Sequence, residues 1–208
     1  MSGQRSSSIL AVIPARGGSK GIPRKNLLPL LGKPLVVWSI EAAQRSALID
    51  RFVVSTEDAE ISQICRDAGA EVLQRPAELA SDGASSIVVL QHAIQEIPCD
   101  IVVLLQPTSP IRYDIDAAIS IFLSGFDTLA TGFASTHREW TGKHKPRQEI
   151  KPYFQDDGNI YIFKSEVIKA GKWMGDNPCR LKVPQIYNFE IDTIEDVWAI
   201  EGVMRHCE

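Results

Sequence analysis

The 208-residue chain contains no apolar run close to the ~20 residues that a helix needs to cross a membrane. It also contains no Pro/Gly/Ser-rich linker and no internal repeat, so we predict a single domain over residues 9–208. Residues 1–8 are polar and lack the apolar centre of a signal peptide, which predicts a flexible tail. We therefore expect a cytoplasmic protein with no membrane partner.

Paired cysteines are also missing from the sequence. Cys65, Cys99, Cys179 and Cys207 are widely spaced, with no Cys-x-x-Cys pair and no histidine at zinc-ligand spacing. This spacing indicates neither a zinc site nor a disulfide framework. We interpret the four thiols as packing residues.

Acidic residues are absent from the first 40 residues, which contain six basic ones. The whole chain has 22 basic and 26 acidic residues and a formal net charge of -4, so the remainder is strongly acidic. A basic segment on an otherwise acidic protein concentrates positive potential locally. This distribution favours a small anionic ligand and argues against nucleic acid, which is a long polyanion.

The most informative stretch is residues 13–26, Ile-Pro-Ala-Arg-Gly-Gly-Ser-Lys-Gly-Ile-Pro-Arg-Lys-Asn, which follows the apolar run 9–13. Such a run predicts a buried strand, and open α/β sheets bind ligands at the carboxyl ends of their strands. The loop offers glycine N–H groups and mobile cations suited to phosphate oxygens: Gly17, Gly18, Gly21, Arg16 and Lys20. It matches neither a Walker loop nor a dinucleotide fingerprint. We predict a polyphosphate-binding loop.

Apolar runs alternate with amphipathic segments along most of the chain. The predicted strands are 9–13, 52–55, 70–73, 101–105, 128–133 and 159–163, and the predicted helices are 34–47, 58–68, 85–97, 114–123 and 193–205. This alternation predicts βαβ units in an α/β fold, a three-layer α/β/α sandwich around a mostly parallel sheet. Residues 134–157 are polar and predict an irregular loop that forms a second wall of the site or a dimer contact.

An ordered series of motifs continues beyond the first loop. It comprises Arg75-Pro76, Ser81 to Ser86, Leu105-Gln106-Pro107-Thr108-Ser109-Pro110-Ile111-Arg112, Arg147-Gln148, Gly158-Asn159-Ile160-Tyr161 and Glu190-Ile191-Asp192-Thr193. Together with the loop, this series resembles the acylneuraminate cytidylyltransferases, which activate sialic acids and related nine-carbon ulosonic acids. The resemblance covers most of the chain and implies a fold like that of the nucleotide-diphospho-sugar transferases.

The resemblance implies a reaction in which CTP and a free sugar acid give the CMP-sugar and pyrophosphate with Mg²⁺. It implies a nucleotide site formed by Arg16, Gly17, Gly18, Ser19, Lys20, Lys25, Asn26, Arg75, Ser85 and Ser86. Of these, Arg75 and Ser86 would face the base and ribose, and the loop residues would bind the triphosphate. We expect Lys20, with Arg16 and Asp192, to contribute most to the chemical step, because phosphoryl transfer needs mainly positioning and charge neutralisation.

The same resemblance implies a sugar site that follows the strand 101–105. Its members would be Gln106, Thr108, Ser109, Arg147, Asn159 and Tyr161. Gln106 lies in a proline-bounded turn and can present an amide to a hydroxyl or carboxylate, and Arg147 has the planar fork that suits a carboxylate. For Ser109, a purely structural turn is the alternative.

Glu190 and Asp192 flank Ile191, so an extended backbone would direct both carboxylates to one face and Ile191 to the core. Two hard oxygen ligands, with phosphate oxygens and water, suit Mg²⁺. The alternative is helix capping, since Thr193 and Asp196 have the spacing of a capping box. The family often has aspartate in place of Glu190, so Asp192 is the firmer metal ligand.

Several alternatives stay open at the level of sequence. The chain could use another nucleotide or a sugar phosphate, or could bind nucleotide without catalysis, because a fold alone does not determine function. Only about residues 134–146 occupy the place of a longer family insertion that helps to form the dimer, so a homodimer and the identity of the sugar are expectations from the family alone. His137 and His144 are acid/base groups, sugar ligands or solvated loop residues, and the sequence identifies no general base.

Overall fold

The computed structural model describes residues 7–19, 21–81, 83–137, 146 and 149–207. Lys20, Arg147 and residues 1–6 of the predicted tail lie outside the described residues. Ser8, the last residue of that tail, is held in place, because its backbone N–H and its hydroxyl both donate to Oδ2 of Asp100, at 2.7 and 2.9 Å.

The described residues contain nine strands. These are β1 (Ile9–Pro14), β2 (Pro29–Leu30), β3 (Lys33–Pro34), β4 (Arg51–Thr56), β5 (Glu71–Gln74), β6 (Ile101–Leu104), β7 (Thr128–Ser135), β8 (Tyr153–Lys164) and β9 (Pro178–Lys182). Seven form one sheet in the order β5-β4-β1-β6-β8-β7-β9, and β2 and β3 form a separate hairpin. Every pairing in the large sheet is parallel except the two that β8 makes with β6 and β7. The prediction of a mostly parallel sheet is confirmed.

Helices cover both faces of this sheet. In the described part of the chain they are α1 (Leu35–Arg45), α2 (Ala59–Asp67), α3 (Ser86–Glu96), α4 (Ile115–Phe122), α5 (Ser165–Lys169) and α6 (Ile194–Cys207). Because side chains alternate along a strand, Ala11 and Ile13 of β1 join the core beneath α1, α2 and α4, whereas Leu10 and Val12 join the core beneath α3 and α5. The predicted three-layer α/β/α arrangement is therefore confirmed.

A smaller apolar cluster closes the edge of the sheet where the parallel strands end. Its buried members are Ile22, Leu30, Leu35, Ile191, Val197 and Ile200. Burial of a side chain of this size contributes roughly 1.5–3 kcal/mol. Since Ile22 belongs to the loop after β1 and Ile191 precedes α6, this cluster joins the two segments that carry the predicted phosphate and metal ligands.

The irregular loop predicted over residues 134–157 is shorter than expected. β7 continues to Ser135 and β8 begins at Tyr153, and these two residues pair with each other in an antiparallel ribbon. Most residues at the start of β8 are exposed, so this part of the sequence gave no strand pattern. The edge strand β9, the short helix α5 and the β2–β3 hairpin were likewise not predicted.

A bulge interrupts β8 where it passes the site. The pairing between β7 and β8 changes register there, and β8 gains extra residues over 157–160. The hydroxyl of Thr131 stabilises the bulge by donating to Oδ1 of Asp157 at 2.6 Å and accepting from the N–H of Ile160 at 3.0 Å. Gly158 adopts a left-handed conformation with φ of 66°. The bulge brings Gly158 toward the side chains that follow β6.

Candidate functional site

A cavity of about 440 Å³ opens at the carboxyl ends of the parallel strands. Ten of the predicted site residues line it: Arg16, Ser19, Lys25, Asn26, Arg75, Ser86, Gln106, Thr108, Glu190 and Asp192. They come from the loop after β1, from the segments that follow β5 and β6, from the start of α3 and from the segment before α6. Residues far apart in the sequence therefore meet in one place.

The glycines of the first loop have three different surroundings. Gly17 is buried, and its N–H donates to Oε1 of Glu57 at 2.7 Å. Gly18 is exposed, and a Cβ there would meet no atom within 4 Å. Gly21 lines the cavity, and a Cβ there would lie 2.6 Å from the backbone oxygen of Asp192. Gly17 and Gly18 are not among the lining residues, and the N–H of Gly17 bonds to the protein itself rather than facing a phosphate.

Lys25 and Asn26 connect the loop to neighbouring backbone. The Lys25 ammonium donates to the backbone oxygen of Ile191 at 2.7 Å and to Oδ1 of Asp192 at 3.0 Å. The Asn26 amide donates to the backbone oxygen of Arg16 at 2.9 Å, and the side chain is almost fully buried. Lys25 thus places a cation beside the predicted metal ligand, whereas Asn26 fixes the backbone of the loop.

Arg75 is a buried guanidinium on the cavity wall, only 4% exposed. It donates to the hydroxyl of Ser55 at 3.1 Å and to the backbone oxygen of the same residue at 2.6 Å. Burial lowers the pKa of Arg75, attraction from Glu57 raises it, and repulsion from Arg16 lowers it. The side chain is therefore held rigidly, with its charge only partly compensated, which suits recognition of a polar or anionic group.

The acidic pair before α6 has the geometry that the sequence predicts. Ile191 is fully buried, and the side chains on either side of it line the cavity. Glu190 is exposed as a residue, and its carboxylate lies at the cavity wall beside Thr108. Partial desolvation there, and then the neighbouring Asp192, raises the pKa of Glu190, while Thr108 donates to Oε1 at 3.2 Å and lowers it. Asp192 remains largely exposed beside Lys25.

Capping of α6 is carried out by Asp196. Its carboxylate accepts from the N–H of Thr193 at 2.7 Å and from the N–H of Asp192 at 3.0 Å, while the Thr193 hydroxyl accepts from the N–H of Asp196 at 3.4 Å. The predicted capping box is confirmed. Because Asp196 caps the helix, the carboxylate of Asp192 is available to the cavity.

The turn after β6 presents Gln106 and Thr108 to the cavity but withdraws Ser109. Ser109 is fully buried, and its hydroxyl has no hydrogen-bond partner among the described residues. Arg112 holds the turn by donating to the backbone oxygen of Gln106 at 2.7 Å, to the Ser39 hydroxyl at 2.9 Å and to the backbone oxygen of Asn159. Burial lowers the pKa of Arg112 to about 9. The prediction that Ser109 contacts the sugar is therefore corrected, because its side chain is buried inside the turn.

Asn159 also has a structural position. It is fully buried, its amide donates to the backbone oxygens of Ile111 at 2.7 Å and Tyr187 at 2.9 Å, and its oxygen accepts from the N–H of Tyr113 at 3.1 Å. Both amide protons are used in this way. The predicted sugar contact of Asn159 is therefore corrected, because the side chain ties β8 to the segments around it. Ser85 occupies the N-cap position of α3, makes no side-chain capping bond and does not line the cavity.

Tyr161 lines a second cavity of about 400 Å³, which lies on the part of the sheet formed by β8, β7 and β9. Its hydroxyl donates to Oδ2 of Asp156 at 2.5 Å, and its ring centre is 5.1 Å from that of Trp173. Burial raises the pKa of Tyr161. Met174 and Arg180 also line this cavity. Trp173 and Arg180 belong to no recognisable sequence motif, so neither was predicted as a site residue.

Glu57 and Arg112 were also not predicted as site residues. Glu57 directly follows β4, whose carboxyl end lies beside that of β1 in the sheet, and this position was a usable signal. Arg112 belongs to the motif that begins at Leu105, but no sequence pattern shows that its guanidinium turns back onto the turn. Within the described residues, no helix is both long and apolar enough to span a membrane.

Comparisons with known proteins agree with this geometry. A family model described as cytidylyltransferase matches residues 10–193. An N-acylneuraminate cytidylyltransferase of Escherichia coli O18:K1:H7 is 44% identical over 167 residues, which are 80% of this chain and 39% of that protein. A pseudaminic acid cytidylyltransferase of Campylobacter jejuni is 44% identical over 169 residues, which are 77% of this chain and 69% of that protein. These matches confirm the resemblance that the motifs indicate.

The chain spans only part of several of these relatives, 39% of the Escherichia coli protein and 52% of an N-acylneuraminate cytidylyltransferase of Streptococcus agalactiae that is 29% identical. Among solved structures, a CMP:2-keto-3-deoxy-manno-octonic acid synthetase complexed with CTP matches with a TM-score of 0.78 at 18% identity, covering 97% of this chain and 100% of that chain. A 4-diphosphocytidyl-2C-methyl-D-erythritol synthase from Anaerococcus prevotii matches with a TM-score of 0.68 at 13% identity, covering 95% and 98%. At these identities the likeness shows the fold.

Proposed function

Because the chain belongs to the cytidylyltransferase family, we propose that it transfers CMP from CTP to the anomeric hydroxyl of a sialic-acid-like, nonulosonic sugar acid and releases pyrophosphate. The observation that carries this proposal is the cavity in which the basic loop, Arg75 and the pair Glu190 and Asp192 meet. Cations for a triphosphate and carboxylates for a metal, together in one cavity, are what nucleotidyl transfer needs.

The nucleotide would lie across the carboxyl ends of β1, β4 and β5. Arg16, Ser19 and Lys25 would contact the triphosphate, since all three line the cavity and come from the loop after β1. Arg75 and Ser86 would face the base and ribose. Lys20, which is outside the described residues, is proposed as the cation that contributes most to the chemical step.

The proposed reaction is an in-line displacement at the α-phosphorus. The anomeric oxygen forms the new bond to phosphorus, the bond from that phosphorus to the bridging oxygen of the β-phosphate breaks, and pyrophosphate leaves. The described residues favour this step by positioning the two substrates and by neutralising the charge that develops on the leaving group. The proton of the sugar hydroxyl is transferred to Asp192 or to solvent.

We also propose that Mg²⁺ binds beside the triphosphate, held by Asp192 and Glu190. Among the described residues no cluster of three or more His, Cys, Asp or Glu side chains could hold a metal ion, so phosphate oxygens and water would complete the ligand set. The ion would supply charge neutralisation of the phosphates. The exposed carboxylate of Asp192 suits the ion better than that of Glu190, whose raised pKa disfavours the ionised form.

The sugar acid would extend from Gln106 toward the second cavity. Gln106 and Thr108 line the first cavity, and Tyr161 and Trp173 supply aromatic surface in the second. Aromatic faces pack well against the C–H groups of a sugar ring, and a guanidinium binds a carboxylate through two parallel hydrogen bonds. Arg180 in the second cavity is therefore a further candidate for the sugar carboxylate, beside Arg147, which lies outside the described residues.

The family resemblance further supports a homodimer in the cytoplasm, with no membrane or nucleic-acid partner. Sedimentation velocity of the purified protein tests the dimer directly. A single species of twice the chain mass at micromolar concentration is the expected result, and a species of one chain mass would contradict it.

Pyrophosphate release tests the proposed reaction. The purified protein is assayed with Mg²⁺ and CTP against sialic, legionaminic, pseudaminic and Kdo-type acids, with ATP, GTP and UTP as matched nucleotide controls. We expect release with CTP and at least one nonulosonic acid. Release only with another nucleotide or a sugar phosphate would identify a different sugar nucleotidyltransferase, and CTP binding without release would identify a non-catalytic nucleotide sensor.

A further inference from the structure

Two consecutive acidic residues after β4 contact both arms of the loop that follows β1. On the first arm, the N–H of Gly17 donates to Oε1 of Glu57 at 2.7 Å. A Cβ on Gly17 would lie 2.5 Å from Oδ2 of Asp58, so any larger residue at this position would displace the Asp58 carboxylate. The first arm therefore lies directly against the Glu57–Asp58 dipeptide.

The second arm reaches the same dipeptide through Arg24. Its guanidinium donates to both carboxylate oxygens of Asp58, at 2.5 and 3.1 Å, and to Oε2 of Glu60 at 2.5 Å. Arg24 has a left-handed backbone with φ of 57°, a conformation that residues with a Cβ rarely adopt. Two charge-assisted contacts hold it in that conformation.

The dipeptide is itself fixed in the fold. Asp58 is the N-cap of α2 and accepts from the N–H groups of Glu60 and Ile61 at 3.0 and 2.9 Å. The second oxygen of Glu57 is buried with no hydrogen-bond partner among the described residues, and the charge of Glu57 attracts the buried guanidinium of Arg75. A hydrogen bond from Gly17 and an electrostatic attraction to Arg75 therefore both act on the Glu57 carboxylate.

We propose that Glu57 and Asp58 form a clamp that holds the phosphate-binding loop in its ligand-ready conformation before CTP arrives. Both are positioning residues, because they act through Gly17 and Arg24. The choice of CTP as the ligand of the clamped loop rests on the proposed function. The loop is held through the N–H of Gly17 and the guanidinium of Arg24. The side chains that line the cavity are the ones that would contact the phosphates.

A loop that is already ordered spares the ligand the entropic cost of ordering it. Without Glu57, the Gly17 N–H would lose its acceptor, and the first arm would have to be fixed by the ligand itself. The expected consequence is weaker CTP binding in a protein that still folds. A residue needed only for stability would lower the melting temperature and leave the CTP affinity of the folded fraction unchanged.

Two measurements on the full chain test the clamp: the amide hydrogen-exchange rate of Gly17 without nucleotide, and the Kd for CTP by calorimetry. For Glu57→Ala we expect exchange and Kd each to increase about tenfold or more. Glu57→Gln retains an acceptor for Gly17 and should keep Kd within about threefold. The control Glu71→Ala removes an exposed carboxylate that pairs with Arg51, and should match the unmodified protein.

Unchanged exchange and Kd in Glu57→Ala would overturn the clamp. Equal increases in Kd for Glu57→Gln and Glu57→Ala would also overturn it. The effect would then come from loss of the negative charge and not from loss of the hydrogen-bond acceptor. Exchange at Gly17 is measured without nucleotide, so it reports on the clamp even if the unmodified protein binds no CTP. An unmodified protein that binds no CTP would refute the proposed function. The exchange rate of Gly17 would then still show whether Glu57 orders the loop.

A double-mutant cycle tests the second arm and serves if Glu57→Ala does not fold. Arg24 and Asp58 act through one ion pair in the clamp, so Arg24→Met, Asp58→Asn and the double variant should all weaken CTP binding by similar factors. Additive effects on Kd would show that Arg24 acts separately from Asp58, and would overturn the clamp.

Discussion

Replacement of Gly158 by alanine should impair turnover far more than folding. Gly158 lies in the β8 bulge with φ of 66°. A Cβ at this position would lie 2.8 Å from Oε1 of Glu190 and 3.1 Å from Oε1 of Gln106. The new methyl group would therefore displace the ends of two side chains that line the proposed active site, one on the metal side and one on the sugar side.

The two effects of this substitution differ in size. A left-handed backbone costs alanine about 1–2 kcal/mol, and lower entropy of the unfolded chain returns about 0.4–1 kcal/mol. The net loss of about 1 kcal/mol corresponds to a decrease in Tm of about 2–4 °C for a chain of this length. Displacement of reacting groups by a fraction of an ångström to about 1 Å decreases kcat/KM by about ten- to a hundredfold.

The assay measures kcat/KM by pyrophosphate release and Tm by circular dichroism. Gly32→Ala is the matched control, because Gly32 has a similar φ of 76° and a Cβ there would meet nothing within 4 Å. We expect a similar decrease in Tm in both variants and a loss of turnover only in Gly158→Ala. Equal turnover in the two variants would refute the argument that Gly158 makes room for Glu190 and Gln106.

Three further predictions concern the loop, the core and a thiol. Lys20→Ala should lose turnover and keep its circular dichroism spectrum and Tm; unchanged turnover would contradict the role proposed for it. Asn159→Ala removes three hydrogen bonds, at about 1 kcal/mol each, and should lower the free energy of unfolding in urea by about 3 kcal/mol; a loss below about 1 kcal/mol would contradict its structural role. Burial raises the pKa of Cys65 to about 12, so a thiol reagent at pH 8 should label it only after unfolding, and rapid labelling of the folded protein would refute this.

The parallel half of the fold could be predicted because its central strands, β1 and β6, are buried on both faces. Continuous apolar runs such as Ile9–Pro14 and Ile101–Leu104, separated by helical patterns, predict buried parallel strands. The half formed by β8, β7 and β9 gave weaker sequence signals. The polar start of β8 and the edge strand β9, with its lysine and arginine, are held by backbone pairing, which leaves no apolar alternation to recognise.

The site was predictable where a residue type and its place at a strand end both indicated the same chemistry. The glycine-rich loop, Gln106 and the pair Glu190 and Asp192 met this condition. Gln106, the acidic pair and several loop residues line the cavity, whereas Gly17 and Gly18 do not. Asn159 did not, because its side-chain direction depends on the bulge in β8, which is determined by pairing across the sheet. The same applies to Arg112, whose partners are backbone atoms distant in the sequence.

The reversal of strand direction at β8 divides the molecule into two parts that can vary separately. The segments assigned to CTP all follow or adjoin strands of the parallel half, β5-β4-β1-β6, whereas Tyr161, Trp173 and Arg180 belong to the half formed by β8, β7 and β9. Substitutions around the second cavity can therefore alter the acceptor without disturbing the nucleotide. The bulge in β8 places Gly158 against Glu190 and Gln106 of the first cavity, so a change of acceptor within this fold should spare Gly158 while the surrounding ribbon diverges.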